Sequence, residues 1–420
     1  MDVNGKAYKE MLARRPLNVR ALWENENVGL VSGRDIYATC KELGCVVLAA
    51  NCRCPLTAKG ILSAAKKLNA AVVLEIAKSE TGYCLGNFEN LPTYAVKYSK
   101  ELGDGIIFAM HVDHYGIKNE KDTNKTVSHM PELVTQGWTS VAVDASHLQD
   151  YENLCATRDV AMGIPPYLGL EVEVGEIKGA GELSTVEEAL FFIGGLNAWG
   201  IYPDLLAISN GSLHGTYDLS SGQQEGIDLK RTLEIAEAIA PYGVSIAQHG
   251  ISGTPIHKVE EFHKYRINKG NVATLFQNVA FGIKMDPDTG NADTSSGSYV
   301  KESGHGISDA LWEKVVAWAD GEKLSRKSGD YKKANLPFGE AILNESTEVR
   351  ERIVAQTEEW ATRFIKAMKS EGSAEKVLEV ISRRSDHNAA PERKPLNPRA
   401  NYTTDKAPGK KEKVTGNFDD

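Results

Sequence analysis

The sequence lacks the features that would place it in a membrane or on nucleic acid. No run approaches the roughly 18 apolar residues of a membrane-spanning helix, and the N-terminus "MDVNGKAYKEMLARRP" has no apolar signal-peptide core. The net charge of −9 provides no basic surface for nucleic acid or anionic lipid. We therefore expect a cytoplasmic protein with no nucleic-acid partner and no membrane partner.

Cysteine is too sparse for a disulfide framework. Six cysteines are spread over 420 residues, and the closest pair, Cys52 and Cys54, has neither CxxC spacing nor a matching Cys/His pair elsewhere. We expect reduced core or loop thiols rather than a zinc knuckle. A GxGxxG motif is also missing after the first apolar run, which argues against a dinucleotide-binding sheet.

Eight short apolar runs are present, and amphipathic segments separate them. The runs span residues 45–51, 71–77, 105–113, 139–146, 167–175, 205–211, 244–250 and 271–276. Alternation of this kind indicates βα units whose parallel sheet is buried on both faces. The count of eight favours a closed (β/α)8 TIM barrel, an α/β fold, over an open doubly wound sheet.

Extra helices are predicted on both sides of the barrel. We divide the chain into an N-terminal helical segment (1–44), a TIM-barrel catalytic core (45–285), a C-terminal helical extension (286–384) and a tail (385–420). The tail is rich in Pro, Asn, Lys and Asp and has few large apolar residues. Since it cannot bury much apolar surface, we expect it to be disordered or to act as a docking arm.

Polar residues interrupt the apolar runs mainly at their carboxyl ends. They are Asn51, Asp113, His114, Asp144, Glu171, Glu173, His214, His249, Asn271 and Thr274. In a barrel the carboxyl ends of all the strands meet at one face, where barrel enzymes place their chemistry. Residues about 200 positions apart would then line one pocket.

Three of the ten histidines, His114, His214 and His249, follow predicted strands at this face. Taken singly, each is more often a structural residue than a ligand. Taken together, three imidazoles with an open coordination position are the pattern of a catalytic zinc or similar divalent ion. His111, two residues before Asp113, is expected to support this site or to pack.

Glycines follow two of these histidines, in "HGTY" (214–217) and "HGISG" (249–253). Glycine lets backbone N–H groups approach a ligand, and successive N–H groups bind anions. The loops after strands seven and eight are the common phosphate site of such barrels. "HGISG" and "NVAT" (271–274) are therefore predicted to bind phosphate, although simple tight turns are the alternative interpretation.

Between Val46 and Gly282 the chain resembles the class II, zinc-dependent ketose-bisphosphate aldolases. The similarity lies in seven motifs in the family's order: "LAAN", "HVDH", "VAVDASH", "LEVEVGEIKGAGE", "SNGSLHGTY", "QHGISG" and "NVAT". The family splits ketose phosphates into dihydroxyacetone phosphate and an aldehyde. Ala273 stands where the fructose-bisphosphate branch usually has Asp, as in tagatose-bisphosphate aldolases.

The resemblance implies a role for each matching residue. Three histidines would bind the catalytic Zn²⁺ (His114, His214, His249), and two carboxylates would serve a second metal ion or a monovalent cation (Asp144, Glu173). Asp113 and Glu182 would move protons. The expected substrate-binding residues are Asn51, Gly215, Gly250, Ser252, Asn271 and Thr274. The substrate would be a sugar phosphate, and the family commonly forms homodimers or homotetramers.

The chain departs from the family pattern at several positions. Ala77 occupies the place of the usual serine, with Ser79 nearby, and Asp218 replaces a phosphate-binding lysine. An ungapped match puts Gly181 rather than Glu182 at the catalytic-loop glutamate. No arginine for an aldehyde phosphate can be placed in the C-terminal region.

Two other interpretations remain open at this stage. A metal-dependent sugar or sugar-acid epimerase or isomerase would use the same enediolate chemistry without breaking a carbon–carbon bond. A non-catalytic barrel subunit that supports another aldolase is the second, although such a subunit would be expected to lose metal ligands. Analysis of the reaction products distinguishes an epimerase or isomerase from an aldolase. The metal content of the protein tests the interpretation as a non-catalytic subunit.

Overall fold

The computed structural model describes residues 2–175, 183–212, 226–325 and 329–383. Its nine strands are β1 (Gly29–Leu30), β2 (Val47–Asn51), β3 (Ala71–Ala77), β4 (Ile107–Gly116), β5 (Ser140–Asp144), β6 (Gly169–Val174), β7 (Leu205–Ile208), β8 (Ser245–Gln248) and β9 (Ile267–Val272). Strands β2 to β9 pair in parallel with their neighbours, and β9 pairs with β2 to close the ring. The closed eight-stranded barrel predicted from the sequence is confirmed.

Helices connect the strands and extend the chain at both ends. They are α1 (Lys6–Ala13), α2 (Leu17–Trp23), α3 (Gly33–Leu43), α4 (Pro55–Leu68), α5 (Leu91–Leu102), α6 (Glu120–Thr135), α7 (Asp150–Ala161), α8 (Val186–Ala198), α9 (Leu229–Ile239), α10 (Ile256–Val259), α11 (Thr274–Phe281), α12 (Asp309–Gly321), α13 (Asn335–Leu343), α14 (Thr347–Ala367) and α15 (Ser373–Arg383). Among the helices described, none has both the length and the apolar character needed to cross a bilayer.

Apolar residues form two clusters, one outside the barrel wall and one inside it. Outside, alternate strand residues such as Phe108 and Met110 pack against the surrounding helices. Inside, Ile107 and Ala109 of the same strand contact the helices that close the amino end of the barrel. This alternation follows from the two-residue period of a strand.

Helices α3 and α15 close the amino end of the barrel. Their apolar faces, which include Tyr37 and Val377, belong to the same cluster as the barrel interior. Ser32 caps α3 by accepting a hydrogen bond from the backbone N–H of Arg34, and Gly44 ends the helix in the left-handed conformation. With this end closed by the terminal helices, the carboxyl end is left for the pocket.

The position predicted for the eighth barrel strand is wrong. The apolar run at 271–276 includes only the end of β9, which begins at Ile267, and Thr274 is already the first residue of α11. The strand was missed because Asn268 and Lys269 interrupt its apolar character. Both are nevertheless buried, since Asn268 donates to the Cys45 carbonyl at 2.8 Å and Lys269 pairs with interior glutamates.

The six cysteines are free thiols, as predicted. The division of the chain at residues 44, 285 and 384 stays a prediction. The tail from residue 385 onward lies outside the described residues.

Candidate active site

A pocket of about 460 Å³ opens at the carboxyl end of the barrel. Ten residues singled out in the sequence line it: Asn51, Asp113, His114, Asp144, Glu173, His249, Gly250, Ser252, Asn271 and Thr274. Three others, Glu182, His214 and Gly215, lie outside the described residues. The fold therefore brings together side chains that are more than 220 residues apart in the sequence.

A bulge in β4 lets two consecutive residues face the pocket. The pairing of β4 with β5 shifts register between Val112 and Tyr115, and His114 lies in the left-handed region with φ of +40°. Regular alternation would turn His114 outward after the inward-facing Asp113. The extra residue of the bulge turns it inward instead, at the cost of a backbone conformation that is uncommon for a non-glycine residue.

Two imidazoles meet in this pocket. His114 Nε2 and His249 Nδ1 lie 2.8 Å apart, and their rings are nearly perpendicular. The other nitrogen of each ring faces a carboxylate: His249 Nε2 is 2.7 Å from Glu171 Oε1, and His114 Nδ1 is 2.9 Å from Glu173 Oε1. Nδ1 of His114 also lies 3.2 Å from Asp144 Oδ2.

This donor set fits a divalent transition-metal ion. Metal-binding histidines usually donate the N–H of the non-ligating nitrogen to a carboxylate, which fixes the tautomer and turns the other nitrogen toward the ion. Both histidines have this arrangement. Asp113, His114 and His249 each offer a ligand atom, and these atoms lie within 4.8 Å of one another.

The protonation of His114 reflects its acidic surroundings. Burial lowers its pKa, but the carboxylates of Glu173 and Asp113 outweigh burial, so the pKa is raised well above the usual value. The acidic surroundings therefore favour a positive charge at this position. A bound cation would take over the same role, because it meets the same carboxylates.

Asp113 is oriented by two amides. The side-chain N–H groups of Asn51 and Asn271 donate to its two oxygens at 2.9 and 3.0 Å. Burial raises the pKa of Asp113, but His114, the largest opposing influence, and Lys269 shift it to well below the usual value. The carboxylate is thus ionised and fixed in orientation within the pocket.

A layer of buried ionisable residues lies beneath the pocket, and two of its members, Glu75 and Lys269, were missed in the sequence. Glu75, His111, Glu171 and Lys269 are fully buried in the barrel interior. Burial lowers the pKa of His111 to about 3, so its ring is neutral, and Nδ1 lies 2.7 Å from Ser140 Oγ. Glu171 lies two residues before Glu173, so the alternation of a strand places both on the same face and could have indicated the layer. Lys269 could not be recognised in this way, because the eighth strand was predicted at the wrong position.

Two cationic side chains that line the pocket, Arg53 and Lys332, were also missed in the sequence. Arg53 follows β2, and its Nε donates to Glu80 Oε1 at 2.6 Å. Lys332, from a short 3₁₀ helix in the C-terminal extension (Gly329–Ala334), lies over the ring of Tyr83. Burial lowers the pKa of Lys332, and the Arg53 guanidinium lowers it further. These residues line the pocket together with Ser79.

Ser252 connects the loop after β8 to the start of α11. Its Oγ accepts the backbone N–H groups of Ala273 and Leu275 at 3.2 and 3.3 Å. The N-terminus of α11 thereby faces the pocket beside Gly250 and Thr274, which also line it. Helix N-termini favour anions because their first N–H groups have no partner within the helix.

Comparison with known proteins identifies the family. The model of the family described as fructose-bisphosphate aldolase class-II matches residues 31–319. The chain belongs to the class II fructose-bisphosphate aldolase family. The predicted family, its barrel fold and its enzyme class, an aldehyde-lyase, are thereby confirmed. The comparison supports the aldolase interpretation and not the epimerase alternative.

Individual relatives agree with this membership. A fructose-bisphosphate aldolase from Streptococcus pneumoniae serotype 4 is 28% identical over 266 residues, which cover 60% of this chain and 82% of that protein. A fructose-bisphosphate aldolase from Streptococcus pyogenes serotype M1 is 26% identical over 280 residues, with 65% and 88% covered. The fold is similar to that of the YdjI aldolase from Escherichia coli K12 (TM-score 0.54, 16% identity, 82% of this chain and 99% of that chain). The class II family is metal-dependent and acts on sugar phosphates.

Proposed function

We propose that the protein is a zinc-dependent aldolase that reversibly cleaves a ketose phosphate or bisphosphate into dihydroxyacetone phosphate and an aldehyde. One observation carries this proposal: His114 and His249 lie in contact, each with its own carboxylate, beside the fixed carboxylate of Asp113. His114 and His249 would hold the zinc ion with His214. When bound, the ion would supply Lewis-acid stabilisation of the negative charge that develops on the ketose oxygens.

Asp113 would take the proton of the substrate C4 hydroxyl as the C3–C4 bond breaks. Its two amide partners keep the carboxylate oriented toward the pocket, which is what a general base needs. In the reverse direction the same carboxyl group would return the proton to the aldehyde oxygen. Glu182 would protonate the carbon that becomes part of dihydroxyacetone phosphate.

The phosphate of the dihydroxyacetone half would bind at the start of α11. Gly250, Ser252 and Thr274 line the pocket there, beside the N-terminus of α11, and helix N-termini favour anions. Gly215 would join them, and Asn271 would contact the substrate next to Asp113. Asn51, which also donates to Asp113, would contact the substrate as well.

The aldehyde half would carry an anionic group of its own. Arg53 and Lys332 give the lining of the pocket a positive charge that Glu80 only partly balances. An anionic substituent between the two cations would relieve their repulsion. This arrangement favours a ketose bisphosphate, fructose or tagatose type, over a ketose with a neutral aldehyde half.

Several wider assignments belong to the same proposal. Asp144 and Glu173 would hold a second metal ion or a monovalent cation when their carboxylates are not in contact with His114. We also propose a cytoplasmic homodimer or homotetramer that works in sugar-phosphate metabolism such as glycolysis, and we keep the division of the chain into residues 1–44, 45–285, 286–384 and 385–420.

Product analysis is the experiment that tests the aldolase proposal. The zinc-loaded protein would be incubated with ketose 1-phosphates and ketose bisphosphates, and the products identified by mass and by coupled assay. We expect dihydroxyacetone phosphate and an aldehyde in equal amounts. An epimeric ketose of unchanged carbon number, with no dihydroxyacetone phosphate, would contradict the proposal and favour an epimerase.

A further inference from the structure

Lys269 lies at the centre of the barrel, beneath the pocket. It is in the middle of β9, and its side chain is fully buried. Its Nζ lies 2.9 Å from Glu171 Oε2 and 3.1 Å from Glu75 Oε2, so the ammonium group bridges glutamates from β6 and β3. A charge buried this deeply is tolerated only when it is paired, which these two contacts achieve.

The contact with Glu171 leads directly to the imidazole pair. One oxygen of Glu171, Oε2, faces Lys269 Nζ, and the other, Oε1, lies 2.7 Å from His249 Nε2. His249 then presents Nδ1 to His114. The four side chains form a continuous series from the barrel centre to the pocket, in which Lys269 has no contact with the proposed ion position.

Covalent chemistry does not explain Lys269. Burial lowers its pKa, but Glu171 and Glu75 outweigh burial and hold it well above the usual value. An ammonium group has no electron pair with which to attack a carbonyl. The fully buried side chain is also not among the residues that line the pocket. Of its two contacts, Glu171 and Glu75, only Glu171 leads on to His249.

We propose that Lys269 is a positioning residue for His249. It holds Glu171 by one carboxylate oxygen, so that the other oxygen accepts the Nε2–H of His249 and leaves Nδ1 as the nitrogen that faces the ion. Without Lys269, Glu171 would be free to rotate within the barrel or to turn toward His111, whose Nε2 is 3.5 Å from Oε2. This inference rests on the proposed role of His249 as a metal ligand.

Zinc affinity of the chelator-treated protein tests the inference. Wild type is titrated first, because failure of wild type to bind zinc would overturn the proposed function itself. If wild type binds, Lys269→Met should weaken zinc affinity about 10- to 100-fold, the usual effect of removing a partner behind a ligand. A folded Lys269→Met protein with zinc affinity within twofold of wild type would overturn the positioning role alone.

Imidazole ¹⁵N NMR on the metal-free protein gives a second readout. In wild type we expect His249 to carry its proton on Nε2, and in Lys269→Met we expect a mixture of tautomers. Arg34→Met is the matched control, because Arg34 and Asp204 form another buried ion pair, at 3.0 Å, that does not contact either histidine. That variant should lose stability but keep zinc affinity and the His249 tautomer. A tautomer that is unchanged in Lys269→Met would overturn the inference.

A pair of variants keeps the test usable if Lys269→Met does not fold. Glu171→Gln removes the negative charge but keeps the shape, and the double variant Lys269→Met/Glu171→Gln removes both charges. Because the proposed effect of Lys269 on His249 passes through Glu171, the double variant should bind zinc as weakly as Glu171→Gln and no more weakly. A further loss of affinity in the double variant would show that Lys269 acts by another route.

Discussion

His114 Nε2 lies 2.8 Å from His249 Nδ1, although 135 residues separate the two histidines. Each ring is held from behind by a carboxylate of β6, Glu173 for His114 and Glu171 for His249. The pair is thus oriented before any ion arrives. Two nitrogens that bind one tetrahedral zinc ion lie about 3.3 Å apart, so the rings need to separate only slightly for a small divalent cation to bind tightly.

Removal of one imidazole should abolish ion binding without unfolding the barrel. His249→Ala deletes a ligand at the end of β8, whereas barrel stability lies in the packed strands and helices. We expect calorimetry to show no tight zinc site and circular dichroism to show an intact fold. His257→Ala is the matched control, because the His257 side chain is 74% exposed. Tight zinc binding by His249→Ala would contradict the assignment.

Replacement of the proposed proton carrier should separate two steps. Asp113→Asn keeps the shape of the side chain but cannot accept a proton at neutral pH. We expect it to retain zinc and to exchange the reacting proton of dihydroxyacetone phosphate with solvent deuterium. Cleavage of the ketose should fall by a factor of about 10² to 10⁴.

Glu182→Ala provides the opposite case. It should lose the deuterium exchange as well as cleavage, because it removes the group assigned to the carbon proton. Exchange that survives in Glu182→Ala but disappears in Asp113→Asn would mean that the two roles are reversed.

Loss of the cation from the C-terminal extension should alter substrate preference. Lys332→Met should raise KM for a ketose bisphosphate roughly 10- to 100-fold, the worth of one charge-assisted hydrogen bond, with little change in kcat. KM for a ketose 1-phosphate without a second phosphate should stay the same. Lys333→Met is the control, since the adjacent Lys333 is about half exposed and pairs with Asp330. Equal effects on both substrates would contradict an anion site at Lys332.

The neutral, buried His111 should make stability depend on pH. Its pKa is about 3 in the folded protein and 6.5 in an ordinary setting. Between pH 3 and pH 6.5 His111 takes up a proton in the unfolded chain but not in the folded protein. Its contribution to the free energy of unfolding is therefore complete above pH 6.5 and is lost as pH falls toward 3. The free energy of unfolding should fall by up to about 1.4 kcal/mol per pH unit from this group.

Denaturant titrations of wild type and His111→Gln at several pH values measure this contribution. The stability difference between the two proteins should shrink steadily from pH 7 to pH 4. A difference that does not change with pH would show that folding does not lower the pKa of His111.

The sequence was sufficient to predict the barrel and most of the pocket. Seven of its apolar runs correspond to strands, and polar residues such as Asn51 and Asp144 follow from the rule that strand ends converge. The bulge in β4 that turns the predicted ligand His114 inward could not itself be predicted, because it leaves no mark in the apolar pattern.

Charged residues inside the barrel were the main failure. Lys269 looks like a surface residue in a sequence, and only its pairing with Glu171 and Glu75 makes its burial favourable. Such pairing joins three distant strands, so no local pattern reveals it. Lys332 was missed for a similar reason, since its place in the pocket depends on how the C-terminal extension packs on the barrel.

Zinc titration of cleavage is the most direct test of the central claim, that His114 and His249 hold the ion on which cleavage depends. Protein freed of metal by a chelator would receive zinc in steps, and release of dihydroxyacetone phosphate from a ketose bisphosphate would be followed at each step. We predict no release without zinc, and a rate that rises with zinc and saturates near about one ion per chain. Full cleavage by the metal-free protein would contradict the account.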